Sequence, residues 1–130
     1  MQKSELLEKI NWTVVLAAPR YAGGHDEVMQ SIFEGSAEVL NHYNEGDYQG
    51  TVATAFVFPD GGVVIITDYY GSCSGCDSWE DASNEEARAM VTGLVTSARV
   101  FDNVEDARAF CEGDKSAEDY PFYAAANLKF

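Results

Sequence analysis

The chain has 130 residues, 46% hydrophobic and 12% aromatic, with 22 acidic side chains against 8 basic and a formal net charge of −14. That length and apolar share support one domain over residues 1–130 and exclude intrinsic disorder, while the charge excludes a direct hold on nucleic acid or on an anionic membrane. No apolar run approaches the ~18 residues of a membrane span, and Glu5 and Glu8 stand ahead of the short apolar stretch 14–18, where a secretory leader would carry basic residues.

Ser4 can cap a short helix through Leu6, Leu7 and Ile10, and Trp12–Ala18 reads as a further helical stretch that Pro19 stops. From Asp26, the positions Met29, Ile32, Phe33, Leu40 and Tyr43 keep helical spacing, which predicts a helix to about residue 43 with a kink at Gly35. Asn44-Glu45-Gly46-Asp47 turns the chain. Thr51–Phe58 and Val63–Tyr70, rich in β-branched and aromatic residues, flank Pro59-Asp60-Gly61-Gly62 and predict a hairpin. The unbroken apolar run Val63-Val64-Ile65-Ile66 predicts that its second strand is central and covered on both faces.

Ser83-Asn84-Glu85-Glu86 has the spacing of a capping box, and Ala87, Met90, Val91, Leu94, Val95 and Ala98 follow at three- and four-residue steps, predicting a helix to about Arg99. Asn103 caps another that carries Val104, Ala107, Phe110 and Cys111 on one face and closes at Gly113. The aromatic and alanine-rich end, Tyr120–Phe130, is expected to dock on the core. These elements make the fold α+β: an antiparallel sheet built on a central hairpin (51–70), with several helices packed against it.

The stretch that reads as a site is Gly71-Ser72-Cys73-Ser74-Gly75-Cys76-Asp77, a glycine-punctuated loop with two of the three cysteines at CxxC spacing. A thioredoxin-like redox pair needs its first cysteine at a helix N-terminus, which lowers the thiol pKa. Here the capped helix begins several residues later, and Asp77, Glu80 and Asp81 disfavour a thiolate. Gly71–Gly75 also matches GxCxG, a cysteine version of the nucleophile elbow, but His25 and His42 both precede it, whereas an elbow hydrolase places its histidine after the nucleophile. A cysteine hydrolase of another fold would use one of those histidines as base.

A zinc site on Cys73 and Cys76 would have to recruit His25 or His42, since no second close-spaced pair exists and Cys111 falls on the apolar stripe of its helix. The bland reading of the loop is a structural turn with its amides and hydroxyls satisfied locally; an intermediate one is a nest of backbone donors for a small ligand. Three cysteines do not make a disulfide framework in a chain of this size, which points to a reducing cytosol, that of the producing or a host cell.

Asp47-Tyr48-Gln49-Gly50, a hairpin and Gly71–Asp77 together resemble a loosely defined, uncharacterised family of small proteins encoded by bacteriophages and bacteria, with a YQG, strand, strand, GSCSGCD pattern; the resemblance covers about residues 47–80. It implies a phage or mobile-element origin and, from that source, a small acidic protein that blocks a host or defence protein. It carries over no catalytic residue and no cofactor.

The acidic residues are not gathered in a tail: residues 1–60 hold 3 basic and 9 acidic side chains, residues 61–130 hold 5 and 13. On the predicted helices, Glu27, Glu34 and Glu38, then Glu80, Asp81, Glu85 and Glu86, then Glu105, Asp106 and Glu112 stand at turn-like spacings that could imitate a phosphate track. The function expected is therefore non-enzymatic: an acidic inhibitor that binds a basic or nucleic-acid-binding protein, with Gly71–Asp77, Glu80, Asp81, Glu85 and Glu86 as its binding residues. The alternatives are a metal- or thiol-dependent protein centred on Cys73 and Cys76, and a charge that serves only solubility or adaptation to high salt.

Overall fold

In the computed structural model the elements run α1 (Lys3–Glu8), α2 (Trp12–Ala17), α3 (His25–Ser31), β1 (Glu38–Asn44), β2 (Gly50–Val57), β3 (Val63–Tyr70), α4 (Asn84–Thr96), β4 (Arg99–Phe101), α5 (Val104–Glu112) and a 3-10 stretch (Ala117–Asn127). The structure describes residues 1–21, 24–46, 50–70 and 79–130, with backbone alone at His25, Tyr70, Ala117, Glu118, Tyr120 and Pro121. No helix among the described residues is long and apolar enough to cross a membrane.

The hairpin closes as its composition dictates. Gly61 adopts φ +92°, its N–H donates to the Phe58 carbonyl at 2.9 Å, and the Asp60 carboxylate accepts from the Gly62 N–H at 2.8 Å. β2 and β3 then pair antiparallel without a break, from Val57↔Val63 to Gly50↔Tyr70. β1 pairs with the far side of β2, and β4 with β3 over Val63, Val64 and Ile65, giving a four-stranded antiparallel sheet in the order β1-β2-β3-β4.

Successive side chains on a strand point to opposite faces, and here both faces are covered. Val52, Phe56, Val64 and Ile66 join Leu6, Val15, Met29, Phe33, Val91 and Val95 from α1–α4 and the turn after α3. Ala53, Ala55, Val63 and Ile65 join Ala107 and Cys111 of α5 and Phe122, Ala125 and Leu128 of the C-terminal segment. β3 is thus the central, doubly covered strand that its apolar run predicts, and the small Ala53 and Ala55 let the 3-10 stretch lie close to the sheet. On the first face Phe33 meets Phe56 and Phe58 edge-on at centroid distances of 5.0 and 5.2 Å, a geometry worth about 0.5–1.5 kcal/mol per pair beyond burial.

The capping box forms as expected: Ser83 Oγ accepts from the Glu86 N–H at 3.1 Å, and the Glu86 carboxylate accepts from the Ser83 N–H at 3.1 Å. Asn103 caps α5 through the Asp106 N–H, and Gly113 ends it.

Three expectations are corrected. The helix from Asp26 stops at Ser31, the chain turns through Gly35 at φ +88°, and residues 38–44 are strand β1. A register shift between Val39 and Asn41 explains the misreading: with one extra residue in the strand, Leu40 and Tyr43 both pack against the second core although they lie three apart, the interval of a helix face. The helix from Ser83 ends at Thr96, because Arg99–Phe101 is drawn into the sheet as β4. The first helix starts at Lys3, with Ser4 inside it; the Gln2 N–H donates to Glu5 at 3.4 Å and the Gln2 carbonyl accepts from the Leu6 N–H.

Candidate functional site

Gly50 and Tyr70 are paired at one end of the sheet, so the segments 47–49 and 71–78 both attach there. Gly71, Ser72, Cys73, Ser74, Gly75, Cys76 and Asp77 lie outside the described residues, and with them the CxxC pair. What the structure does show is the frame beside them. Trp79 is fully buried, its Nε1–H donates to the Pro19 carbonyl at 2.8 Å, and Gly24 is pressed against its ring so closely that a Cβ there would stand 2.9 Å from the indole. The Arg20 guanidinium lies 4.9 Å from the ring centroid. Segment 71–78 is thereby bracketed by two fixed points, the end of β3 and a buried tryptophan, which sequence reading did not single out.

At the same end, α3 is tied to the sheet through a polar chain. His42 Nε2 lies 2.7 Å from Asp26 Oδ1, His42 Nδ1 lies 2.7 Å from Thr54 Oγ1, and Asn44 Nδ2 donates to Asp26 Oδ1 at 3.1 Å. Thr54 is the buried polar side chain of the described residues, with no exposed surface, and a buried hydroxyl must find a partner. Its position among the apolar residues of β2 is the sequence signal that could have paired it with His42. Burial raises the pKa of Asp26, but the hydrogen bonds from Asn44 and His42 and the charge of His42 outweigh it and hold the carboxyl below its ordinary value.

Carboxylate, imidazole and hydroxyl in sequence have the composition of a hydrolytic triad, yet the hydroxyl is sealed within the sheet and no substrate atom can reach it. The arrangement is a structural tie. Expected near a helix C-terminus, His42 sits instead on β1 with both ring nitrogens engaged, so ligating a metal would displace Asp26 or Thr54. Backbone places His25 at the first position of α3. Among the described residues no three histidine, cysteine or carboxylate side chains cluster as metal ligands do. Cys111 is buried in the second core, where burial, with Glu112 beside it, raises the thiol pKa against the opposing charge of Lys115.

The acidic candidates are placed differently. Glu80, Asp81, Glu85 and Glu86 are all exposed, the first two between Trp79 and the Ser83 cap and the last two in the first turn of α4. Asp81 takes φ +59°, and its N–H donates to the Arg20 carbonyl at 2.9 Å, which fixes this turn against the chain before α3. The two hydrogen bonds with Ser83 lower the pKa of Glu86. Glu105 and Asp106 open α5 on the opposite side of the sheet. Glu34 and Glu38, expected on a helix, stand in the turn after α3 and at the start of β1.

The basic side chains do little to neutralise this surface. Lys3 Nζ donates to the carbonyls of Thr96 and Ala98 at 2.6 Å each, and Lys115 Nζ to those of Phe110, Cys111 and Gly113. Arg88 stacks on Trp12, and Arg108 Nε donates to the Phe130 carbonyl at 2.6 Å. Among the described residues only Arg99, of the lysines and arginines, pairs with a carboxylate, Asp119, at 2.5 Å. Comparison of the chain with protein-family models, with curated proteins and with solved structures finds no match in any of the three.

Proposed function

We propose that this protein is a non-enzymatic acidic binding protein that recognises, and by occupying it inhibits, a basic or nucleic-acid-binding protein. The observation that carries this reading is the placement of its cations: with a net charge of −14, the lysines and arginines described above, Arg99 excepted, are turned to backbone carbonyls and aromatic rings rather than to carboxylates. Most exposed carboxylates of the described residues are left facing solvent, and a compact domain so charged carries a field of several kT at its surface. Glu80 and Asp81, ahead of the Ser83 cap, and Glu85 and Glu86, in the first turn of α4, present that charge from a hydrogen-bonded helix start.

Such recognition is fast at low salt and weakens as ionic strength passes the point where the Debye length is about 8 Å. The test is capture from a bacterial lysate at low and high salt, with charge reversal at Glu80, Asp81, Glu85 and Glu86. Enrichment of nucleic-acid-binding proteins, lost in the reversed variant and at high salt, is the expected result. Capture unaffected by reversal, or no basic protein retained at low salt, sinks the proposal and leaves the charge as a solubilising or salt-adapted surface.

A further inference from the structure

The sheet does not end where its strands do. Phe58 N–H donates to the Gly62 carbonyl at 2.9 Å, and since hydrogen-bonded pairs alternate along an antiparallel ladder, the bonded pairs of β2 and β3 are Phe56/Val64, Thr54/Ile66 and Val52/Asp68. Thr51 agrees with this register, because its N–H and carbonyl both turn to Glu45 on the β1 side. The backbone groups of Val63, Ile65, Thr67 and Tyr69 therefore face away from β2. β4 takes up the first two, through Phe101 and Arg99, and reaches no further, because the chain enters it at Arg99 directly from α4. At Thr67 and Tyr69 the edge of the central strand stays open: among the described residues its one partner is the Asp68 carboxylate, which accepts the Tyr69 N–H at 2.8 Å.

A groove of about 600 Å³ runs along this edge. Its α4 wall is Ala89, Met90, Gly93, Leu94 and Ser97, and its opposite wall is Phe122. Gly93 is the reason the wall stands back, since a Cβ there would touch nothing within 4 Å. Thr67 lies at its floor, and Tyr69, two residues further along the strand, is 55% exposed. A gap where, among the described residues, the outward backbone of Thr67 and the Tyr69 carbonyl have no strand partner, with apolar walls on both sides, matches an extended segment, which brings amides of its own and directs alternate side chains to the two walls.

We infer that this edge is a strand-addition site, and that its occupant is an extended, basic segment of a partner protein that pairs with Thr67 and Tyr69 in line with β4. The inference rests on the acidic-recognition reading and supplies its mode. Charge selects the occupant: a second copy of this chain would bring another −14, whereas a basic segment is favoured by the overall field and by Glu85 and Glu86 at the start of the same helix. Arg99, at the other end of the groove, is already paired with Asp119.

The probe is a synthetic peptide of alternating valine and lysine, titrated at low salt, with amide exchange at Thr67 and Tyr69 as a local readout. Thr67→Pro removes an outward N–H without touching the β2 ladder, and Gly93→Leu fills the groove while favouring the helix, so the second variant is folded even if the first is not. Each change, and N-methylation of the peptide along one edge, is expected to weaken binding by roughly tenfold, the loss of one or two hydrogen bonds or their access. Binding unchanged in Gly93→Leu and by N-methylation overturns strand addition but leaves acidic recognition standing. Failure of the peptide to bind at low salt overturns the strand-addition site, while acidic recognition stands or falls on the lysate capture. Edge-dependent binding of an alternating valine–serine peptide with no salt dependence supports the edge site and overturns the basic occupant. Self-association through the edge, seen by sedimentation and abolished by Gly93→Leu, replaces the partner by a second copy and overturns the inference.

Discussion

Single residues already show where the fold is under tension. The hydroxyl of Thr54 serves His42 from a fully buried position, and Thr54→Val keeps the shape while leaving a ring nitrogen unpartnered, which should cost about 1–3 kcal/mol in urea unfolding. Asp26 supplies a pH signature. Its folded pKa lies below the ordinary value of 3.8, so the stabilisation it contributes is complete above that value and disappears as pH falls through the folded pKa. The stability gap between wild type and Asp26→Asn should accordingly be full at neutral pH and close under acid conditions, measured by unfolding midpoints across the range. Gly93 works the other way: on an exposed helix face with open space around it, Gly93→Ala should raise stability by about 0.5–1 kcal/mol.

Among the elements, the caps and the bulge decide where structure starts and what it resembles. Ser83→Ala leaves the Glu86 N–H without its acceptor and should lower stability by about 1 kcal/mol, with early fraying of α4 visible in amide exchange. That helix start, the α5 cap and the 51–70 hairpin were legible because each is written locally, in a box, an asparagine or a glycine turn. β1 was not, since its bulge sets Leu40 and Tyr43 at helix-like spacing, and neither was β4, whose three residues carry no period and become strand only because β3 offers an edge. The polar tie was hidden for the same reason: Asp26, His42 and Thr54 are far apart in sequence, and their meeting depends on β1 being a strand. Legibility of the acidic candidates went as far as their exposure, because capped helix starts and turns face solvent wherever they pack.

For the molecule as a whole, charge and burial pull against each other. A net −14 with few carboxylates compensated leaves self-repulsion as a standing load on the folded state, and salt screens it. Thermal stability should therefore rise as salt is increased from low concentration to about 0.15 M and beyond, and a scan that is flat or falling would show that the carboxylates are too far apart to matter. Against this load stand two apolar clusters, one on each face of the sheet.

The division of those clusters also sets an order in time. Every buried member of the first cluster lies at or before Ala98, so a chain emerging from the ribosome can complete that half of the interior once β3 and α4 have been made. The second half cannot begin to close until residues 107–128 have followed. Through that interval Ala53, Ala55, Val63 and Ile65 would face water from an otherwise assembled sheet, a sticky nascent surface of the kind that chaperones attend. Residues 107–128 are then, during synthesis, the covering that a half-finished and adhesive sheet waits for.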